Sequence, residues 1–469
     1  MPSNLKTHLN FINGEFVAAV ERQWLTKYDP VSGEATAQVA DSDLMDVVSS
    51  VQNANRALVT WLKSTLISRA EQLEKIGVAI ELSARDLAAA VLEDLGTPIS
   101  VTLGSSVPAA AAHFRAHARQ LLEASSEQIS SSLEPASEFA LPVGLIGVIT
   151  PASDPLVCLA SRIAPALAVG NAVIVKVSRF TPATGQRFAQ ILLEAGLPPG
   201  LFSLLQGRGE TVGESLIRHP GISTISFMGS TETGRIVGLI AAEAFKKIHL
   251  SLGAKNPVLL FSGADLTSHI PQIARLCLGH IPSQSLKASR LFIQETIFKE
   301  ALELLTTEFE KARQVPLAKP AQAIHYRSAV QLALKENGKV MTSVQSGAQH
   351  GNMVKPYLFA DLTNCSTLQL EEIAGPFVLA SSFKYQHEAL KHANVSPYGR
   401  VGYIFDSDTE RARRVAQKLQ TGSVFINAAE PAFDPLIEIP LLKNSGFQPE
   451  GGSAMLTFFS RRSKIFFDS

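Results

Sequence analysis

A glycine-rich loop between a predicted strand and a predicted helix has residue types suited to ligand chemistry. The strand covers Thr224 to Met228, and Gly229, Ser230 and Gly234 belong to the six-residue run that leads directly into the helix. Such a loop offers free backbone N–H groups and the positive end of a helix dipole, which together suit a pyrophosphate. A tight connection with a serine cap has the same sequence. The loop therefore predicts either a nucleotide site or a structural turn.

The three cysteines are the strongest nucleophiles that the composition offers. Cys158, Cys277 and Cys365 are odd in number and far apart in the sequence. This usage fits a reducing cytoplasm better than a disulfide framework. Each cysteine is predicted to be a small, buried, apolar side chain. No metal site is predicted.

The composition requires a large folded protein to position these residues. The chain has 469 residues, of which 46% are hydrophobic and 18% charged, so at least two hydrophobic cores are expected. Acidic and basic residues number 42 each, which favours neither nucleic acid nor an acidic membrane as a partner. The most apolar stretch, Ile163 to Val177, is interrupted and too short to span a bilayer. The amino terminus lacks a signal-peptide pattern, and a cytoplasmic location is expected.

The order of predicted elements indicates an α/β fold. Apolar residues at three- and four-residue spacing predict long amphipathic helices from Asp43 to Leu95. From Ala140 onward strands alternate with helices, which predicts a parallel, doubly wound, Rossmann-like sheet. A second α/β unit follows Asn256. The segments Gln120 to Ala140 and Ala454 to Phe467 are predicted to be exposed β arms.

Seven segments together resemble the aldehyde dehydrogenase superfamily over nearly the whole chain. They are Phe11 to Glu15, Ile163 to Ala168 with Gly170 and Asn171, Phe227 to Gly234, Leu252 to Pro257, Glu371 to Pro376, Gly422 to Asn427 and Lys443 to Gly446. The resemblance implies a Rossmann-like cofactor domain at 1–118 and 141–249. It also implies an α/β catalytic-type domain at 250–450 and a β oligomerisation arm at 119–140 and 451–469.

The resemblance also identifies the positions that carry the family's chemistry. There a cysteine thiolate attacks the aldehyde, a glutamate activates the hydrolytic water, and an asparagine side chain holds the oxyanion. In this chain Ser285 stands at the nucleophile position, Ser251 at the general-base position and Ser153 at the oxyanion position. A serine hydroxyl needs an adjacent base to become a nucleophile. Aldehyde oxidation is therefore expected to be nearly abolished.

The cofactor positions implied by the resemblance are mixed. The loop containing Gly229, Ser230 and Gly234 is intact, Lys176 matches the family's adenosine-ribose lysine, and Glu372 matches its nicotinamide-ribose glutamate. The glutamate that selects NAD is replaced by Arg179, which tolerates a 2′-phosphate better than a pair of hydroxyls. Ala374 replaces a phenylalanine that packs near the nicotinamide. Weak binding of NAD or NADP is expected, with NADP at least equal to NAD, or no binding at all.

Three functional hypotheses remain open from the sequence. The chain is a pseudoenzyme with a structural, regulatory or nucleotide-sensing role, an oxidoreductase with an altered nucleophile, or a small-molecule carrier. In the second hypothesis the nucleophile is Ser285, with Lys287 as its base if the segment is a strand, or Cys158 on the helix that lines the family's substrate tunnel.

The resemblance also predicts a homo-oligomer, either a dimer or a tetramer. Its arm would otherwise expose an apolar edge strand. That edge consists of Leu456, Phe458, Phe459, Ile465 and Phe466.

Overall fold

A computed structural model describes residues 5–127, 136–279, 284–343, 351–363, 366–429 and 434–466. The strands are β1 (Lys6–His8), β2 (Asn10–Ile12), β3 (Glu15–Val17), β4 (Trp24–Tyr28), β5 (Ala35–Ala40), β6 (Ala136–Pro142), β7 (Leu145–Ile149), β8 (Ala172–Lys176), β9 (Phe202–Leu205), β10 (Thr224–Met228), β11 (Lys247–Ser251), β12 (Asn256–Leu260), β13 (Ala288–Gln294), β14 (Val315–Pro316), β15 (Lys339–Val340), β16 (Met353–Val354), β17 (Tyr357–Ala360), β18 (Phe377–Phe383), β19 (Tyr398–Gly399), β20 (Val401–Phe405), β21 (Ser423–Ile426), β22 (Leu442–Lys443), β23 (Gly446–Phe447) and β24 (Ser460–Phe466).

The helices are α1 (Leu44–Trp61), α2 (Leu66–Leu82), α3 (Ala84–Leu95), α4 (Ile99–Val101), α5 (Val107–Glu127), α6 (Pro155–Val169), α7 (Pro182–Glu194), α8 (Glu214–Arg218), α9 (Thr231–Glu243), α10 (Leu266–Leu278), α11 (Phe298–Glu310), α12 (Pro320–Lys335), α13 (Gln386–Asn394), α14 (Thr409–Ala416) and α15 (Gly452–Phe458). Short π-helical turns cover Thr102–Ser106 and Gly209–Gly213, and 3₁₀ turns cover Gln284–Leu286, Glu295–Ile297 and Thr367–Gln369. The predicted amphipathic helices between Asp43 and Leu95 are confirmed as α1, α2 and α3.

The larger sheet has eight strands in the order β23-β11-β10-β7-β8-β9-β2-β3. Strands β7 to β11 are parallel to one another, and the chain winds outward from β7 first through β8 and β9, then through β10 and β11. Every residue of β7, β8 and β9 is buried, as in parallel strands covered by helices on both faces. This strand order confirms the predicted doubly wound, Rossmann-like unit.

The second sheet has seven strands in the order β15-β17-β18-β13-β12-β20-β21. All of its pairings are parallel except that of β15 with β17. Helices α10 and α11 contribute to the hydrophobic core of this sheet, which is separate from the core of the larger one. The expectation of more than one core and of a second α/β unit is therefore confirmed.

The predicted β arms are wrong at their beginnings. Helix α5 continues to Glu127, and the segment from Gly452 to Phe458 is helix α15. Met455, Phe458 and Phe459 are buried in the core of the larger sheet. Their spacing of three and four residues is helical, and it is this pattern that decides the local structure. These two phenylalanines therefore do not form the exposed apolar edge that the sequence suggested.

The remaining part of the arm is a two-stranded antiparallel ribbon. β24 pairs with β6 from Ser460 opposite Pro142 to Phe466 opposite Ala136. Residues 128–135 and 467–469, which belong to the predicted arms, lie outside the described residues, as does Cys365. Cys158 and Cys277 are buried, as expected. None of the helices in the described ranges combines the length and the apolar character that a bilayer crossing requires.

Candidate active site and nucleotide cleft

The loop after β7 carries the oxyanion position into the first turn of α6. Ser153 is exposed, and its carbonyl accepts a hydrogen bond from Cys158 Sγ at 3.4 Å. Asp154, the next residue, has a positive φ of 48°. Its carboxylate accepts hydrogen bonds from Ser106 Oγ at 3.1 Å and from the backbone amide of Gln284. Burial raises the pKa of Asp154 to about 7, although both hydrogen bonds oppose this shift.

The nucleophile position lies on a 3₁₀ turn that precedes β13. Asn256 Nδ2 donates to the carbonyls of Ser285 and Lys287 at 3.0 and 2.9 Å. The hydroxyl of Tyr403 donates to the carbonyl of Leu286 at 2.8 Å. These contacts fix the backbone of the turn against β12 and β20. The hydrogen bond between Gln284 and Asp154 ties the turn to the loop after β7, so the structure brings the segments of Ser285 and Ser153 together.

Lys287 does not have the geometry of a strand partner for Ser285. Ser285 belongs to a 3₁₀ turn, in which residues two apart do not share a face. Lys287 Nζ donates to the carbonyl of Gly375. Burial lowers the pKa of Lys287 to about 8, partly offset by the neighbouring Cys277 and Glu372. The amine is thus directed at a backbone acceptor in the loop before β18.

Ser251, the residue at the predicted general-base position, lies within a buried ionic network. Ser251, at the end of β11, is buried, and its Oγ accepts from Arg400 Nη2 at 2.8 Å. The same nitrogen donates to the carbonyl of Leu252 at 3.0 Å. The carboxylate of Glu450 forms ion pairs with both Arg400 and Arg162, and it also hydrogen bonds with the Ser251 side chain. We call Arg162, Arg400, Glu450 and Ser251 the arginine network.

The arginine network carries surplus positive charge. Arg162 and Arg400 are each 1% exposed. Burial alone would raise the pKa of Glu450, but the two arginines outweigh this effect and hold it well below its ordinary value. Glu450 is therefore ionised, and one carboxylate faces two guanidinium groups. Because removing a guanidinium from water is costly, these charges are stabilised by the ion pairs with Glu450 and by hydrogen bonds such as those from Arg400 to Ser251 and to the Leu252 carbonyl.

Cys158 interacts electrostatically with Asp154 and with both arginines of the network, but its thiol is not expected to ionise near neutral pH. Burial is the largest cause that raises the pKa of its thiol, Asp154 adds to the rise, and Arg162 and Arg400 oppose it only in part. Since the thiolate is the nucleophilic form, the geometry does not activate Cys158.

The glycine loop after β10 packs tightly against the end of β11. The amide of Gly229 donates to the carbonyl of Ser251 at 3.1 Å, and Ser230 Oγ caps α9 by accepting from the amide of Thr233 at 3.3 Å. A side chain at Gly234 would overlap Leu252. The loop has the strand–turn–helix geometry of a phosphate site, and its glycines are also required by packing.

Glu372 lies beside the first turn of α9, which follows the glycine loop. A Cβ at Gly253 would meet the Glu372 carboxylate, the ring of Tyr398 and Thr231 Oγ1. Burial raises the pKa of Glu372, opposed by a hydrogen bond from the amide of Ala254 and by nearby cations.

Lys176 lies at the end of β8, two strands from the strand that leads into the glycine loop. It is 7% exposed, and burial lowers its pKa to about 8. Neighbouring Lys319 and Arg179 lower that pKa further. Lys176 and its cationic neighbours, the capped amino terminus of α9 and the Glu372 carboxylate are groups of the kind that bind the phosphates and ribose hydroxyls of a dinucleotide.

Sequence reasoning did not identify several charged residues that the structure places at the candidate site. Arg162, Arg400, Glu450 and Asp154 were not among its candidates, and Lys319 was not assigned to the cleft. One signal was present: Arg162 is the sole charge within the otherwise apolar α6, and a lone buried charge requires a partner.

Comparison with known proteins gives the family. The sequence model of the aldehyde dehydrogenase family matches residues 16–465. Human 2-aminomuconic semialdehyde dehydrogenase is 30% identical over 97% of each chain. Phenylacetaldehyde dehydrogenase from Pseudomonas fluorescens is also 30% identical, over 97% of this chain and 94% of its own.

Solved structures agree with this result. A mutant of aldehyde dehydrogenase C from Pseudomonas syringae, in complex with NAD⁺ and octanal, superimposes with a TM-score of 0.92 at 26% identity, covering 99% of this chain and 97% of its own. An NAD⁺ complex of aldehyde dehydrogenase from Bacillus cereus also superimposes with a TM-score of 0.92 at 26% identity, covering 99% of this chain and 97% of its own. The chain belongs to the aldehyde dehydrogenase family.

Proposed function

We propose that this chain is a member of the aldehyde dehydrogenase family that retains a nucleotide cleft but does not oxidise aldehydes through a thioester. The observation that carries the proposal is the hydrogen bond from Arg400 to Ser251. At the predicted general-base position, the Ser251 hydroxyl accepts a hydrogen bond from the Arg400 guanidinium. Neither group has a basic lone pair that could activate water. Absence of a general base typically costs about 10²–10⁴ in rate, and absence of the thiolate removes the nucleophile that this base would serve, so the two losses are not additive.

A catalytic member with an altered nucleophile is the alternative, and the relatives named above are dehydrogenases. Lys287 supports it in one respect, because an amine whose pKa is lowered to about 8 is a reasonable base near neutral pH. The turn geometry of Ser285 and the orientation of Lys287 toward Gly375 count against this pairing. Cys158 is disfavoured by its burial and its raised pKa.

An aldehyde-oxidation assay separates the two functions. Aliphatic and aromatic aldehydes are incubated with NAD and with NADP, and reduced cofactor is followed by absorbance. We expect no turnover above that of a heat-inactivated sample. Turnover that disappears in Ser285→Ala would establish a serine mechanism, and turnover that disappears only in Cys158→Ala would show that the nucleophile has moved. Either result would contradict the proposal.

Nucleotide binding is the second part of the proposal. Lys176, the amino terminus of α9 and Glu372 support it, because they place cationic, N–H and carboxylate groups along one cleft. The structural relatives with NAD⁺ bound point in the same direction. A calorimetric titration with NAD and NADP should give weak binding, with NADP at least as tight. Tight NAD binding with poor NADP binding would contradict the assignment of Arg179.

We further propose that the chain forms a homo-oligomer through the ribbon of β6 and β24. A two-stranded ribbon is marginally stable by itself, so pairing with a second copy would protect its free edges. The division into a cofactor domain, a catalytic-type domain and an arm stays a prediction, with the helical residues of α5 and α15 excluded from the arm.

A further inference from the structure

Three cations converge at the end of β8 from two distant parts of the sequence. Lys176 ends that strand, Arg179 follows three residues later, and Lys319 immediately precedes α12. We call these three residues the basic cluster. The sequence could show that Lys176 and Arg179 are neighbours, but only the fold brings Lys319 to them.

The Phe180 ring forms cation–π contacts with two members of the basic cluster. Arg179 Cζ lies 5.1 Å from the centroid of the Phe180 ring, and Lys319 Nζ lies 6.0 Å from the same centroid. Both cationic side chains are exposed to solvent. The aromatic ring therefore holds two charges in place while it leaves their N–H donors available to a ligand.

Lys176 is the buried member of the basic cluster. Within the described part of the chain, no residue accepts a hydrogen bond from its Nζ, although the side chain is more than nine-tenths buried. The two carboxylates that attract it are those of Glu210 and Asp41. Asp41 is already engaged by Arg208, through an ion pair at 3.3 Å and a hydrogen bond from the Arg208 amide. The local balance of charge is thus positive.

The place of the basic cluster in the fold indicates which part of a nucleotide it would meet. In a sheet wound in the order β9-β8-β7-β10-β11, ligands bind beyond the carboxyl ends of the strands. The end of the second strand is where such folds hold the adenosine ribose, commonly with a carboxylate that accepts from its hydroxyls. Here that end carries three cations.

We propose that the basic cluster binds a phosphate monoester at the 2′ position of an adenosine ribose, and that Lys319 is a specificity-determining residue for it. This inference rests on the nucleotide binding proposed above. A dianionic phosphate offers three acceptor oxygens, and charge-assisted hydrogen bonds from lysine and arginine are the strong ones in proteins. A bare ribose would leave the surplus charge uncompensated.

Adenosine fragments test this inference without any catalytic readout. The full-length protein is titrated calorimetrically with AMP, adenosine 2′,5′-bisphosphate and adenosine 3′,5′-bisphosphate, and separately with NAD and NADP. We expect the 2′,5′-bisphosphate to bind at least tenfold more tightly than AMP. In Lys319→Gln this advantage should fall about tenfold, the size expected for one charge-assisted hydrogen bond, while AMP affinity changes less than twofold.

A matched control lies on the same helix. Lys335→Gln removes an equal charge from the exposed last turn of α12 and should leave all affinities unchanged. Far-UV circular dichroism verifies that both variants are folded. If Lys319→Gln and Lys335→Gln behave alike, the assignment of Lys319 is wrong.

The remaining outcomes separate this inference from the proposed function. Equal affinity for AMP and the 2′,5′-bisphosphate would overturn the inference and leave nucleotide binding intact. Tighter binding of the 3′,5′-bisphosphate would overturn the 2′ assignment, because it would indicate a ligand phosphorylated at the 3′ position. Failure of all five compounds to bind would overturn the inference together with the nucleotide-binding part of the proposed function.

Discussion

Replacing Glu450 with glutamine tests whether the arginine network holds its surplus charge as the structure indicates. Glu450→Gln keeps the shape of the side chain and one acceptor but removes the carboxylate that forms ion pairs with both Arg162 and Arg400. The two buried guanidinium groups would then lack the carboxylate that forms an ion pair with each of them. Removal of one partner from a buried ion pair costs about 3–5 kcal/mol.

The expected thermal shift follows from the size of the chain. An unfolding entropy of about 2.1 cal/mol/K per residue corresponds to roughly 1 kcal/mol/K over the whole chain if it unfolds in one step. Glu450→Gln should therefore lower Tm by about 3–5 °C in differential scanning calorimetry at pH 7. The matched control is Glu410→Gln, which breaks an ion pair with Arg413 at 3.3 Å whose side chains are both about two-thirds exposed. Its shift should stay below about 1 °C.

A second variant and the pH dependence test the same reasoning. Arg400→Met removes the surplus cation and leaves Glu450 paired with Arg162, so it should destabilise less than Glu450→Gln. The pKa of Glu450 is lowered in the folded state, so its contribution is present above the unfolded value of 4.5 and is lost as pH falls below it. The gap between wild type and Glu450→Gln should be constant from pH 6 to 8 and narrow below pH 4.5. A shift under 1 °C for Glu450→Gln, or an equal loss in Arg400→Met, would refute the charge argument.

Three further predictions follow from the site and the arm. Ser285→Cys should react with iodoacetamide at residue 285 but still fail to turn over aldehydes; turnover in this single variant would show that a missing thiol was the only defect. Asp154→Asn should raise the denaturation midpoint more at pH 8 than at pH 4, because the fold loses stability as pH rises from the unfolded pKa of 3.8 to the raised folded pKa of about 7; an equal effect at both pH values would contradict this. Light scattering should show an oligomer for the full-length chain and a smaller species for a chain that ends at Ser460 and so lacks most of β24; a full-length monomer at micromolar concentration would exclude assembly through the ribbon.

The sequence predicted the elements best where periodicity and turn residues agree. β10 was predicted with its observed bounds, Thr224 to Met228, because a buried strand that is followed by a glycine loop has a strong local signature. The segment from Ala454 to Phe458 was mistaken for a strand. Its aromatic residues favour β structure locally, but burial of Met455 and Phe458 on one helical face prevails.

The sequence could suggest which positions belong to the candidate site, but it could not predict which residues contact them. The resemblance identified Ser285, Ser153 and Ser251 by their places in the family's motifs, and the structure brings the segments of Ser285 and Ser153 together. The contacts of Arg400 and Glu450 with Ser251 link residues about 150 and 200 positions apart, and no local pattern encodes such pairs. For the same reason Lys319 could not be assigned to the end of β8.

The replacements at the catalytic positions are physically coupled, which bears on whether a single change could restore the chemistry. A carboxylate at position 251 would stand beside Glu450 and face the same two arginines, and Arg400 would pair with it rather than leave it free to activate water. Restoring a base therefore requires removal of Arg400 as well as substitution of Ser251. The predicted nucleophile position, Ser285, lies on the 3₁₀ turn before β13 and needs its own change. If the proposed function is correct, aldehyde oxidation would have to be rebuilt at both positions, because the arginine network opposes a general base at position 251 independently of the absence of a thiol at position 285.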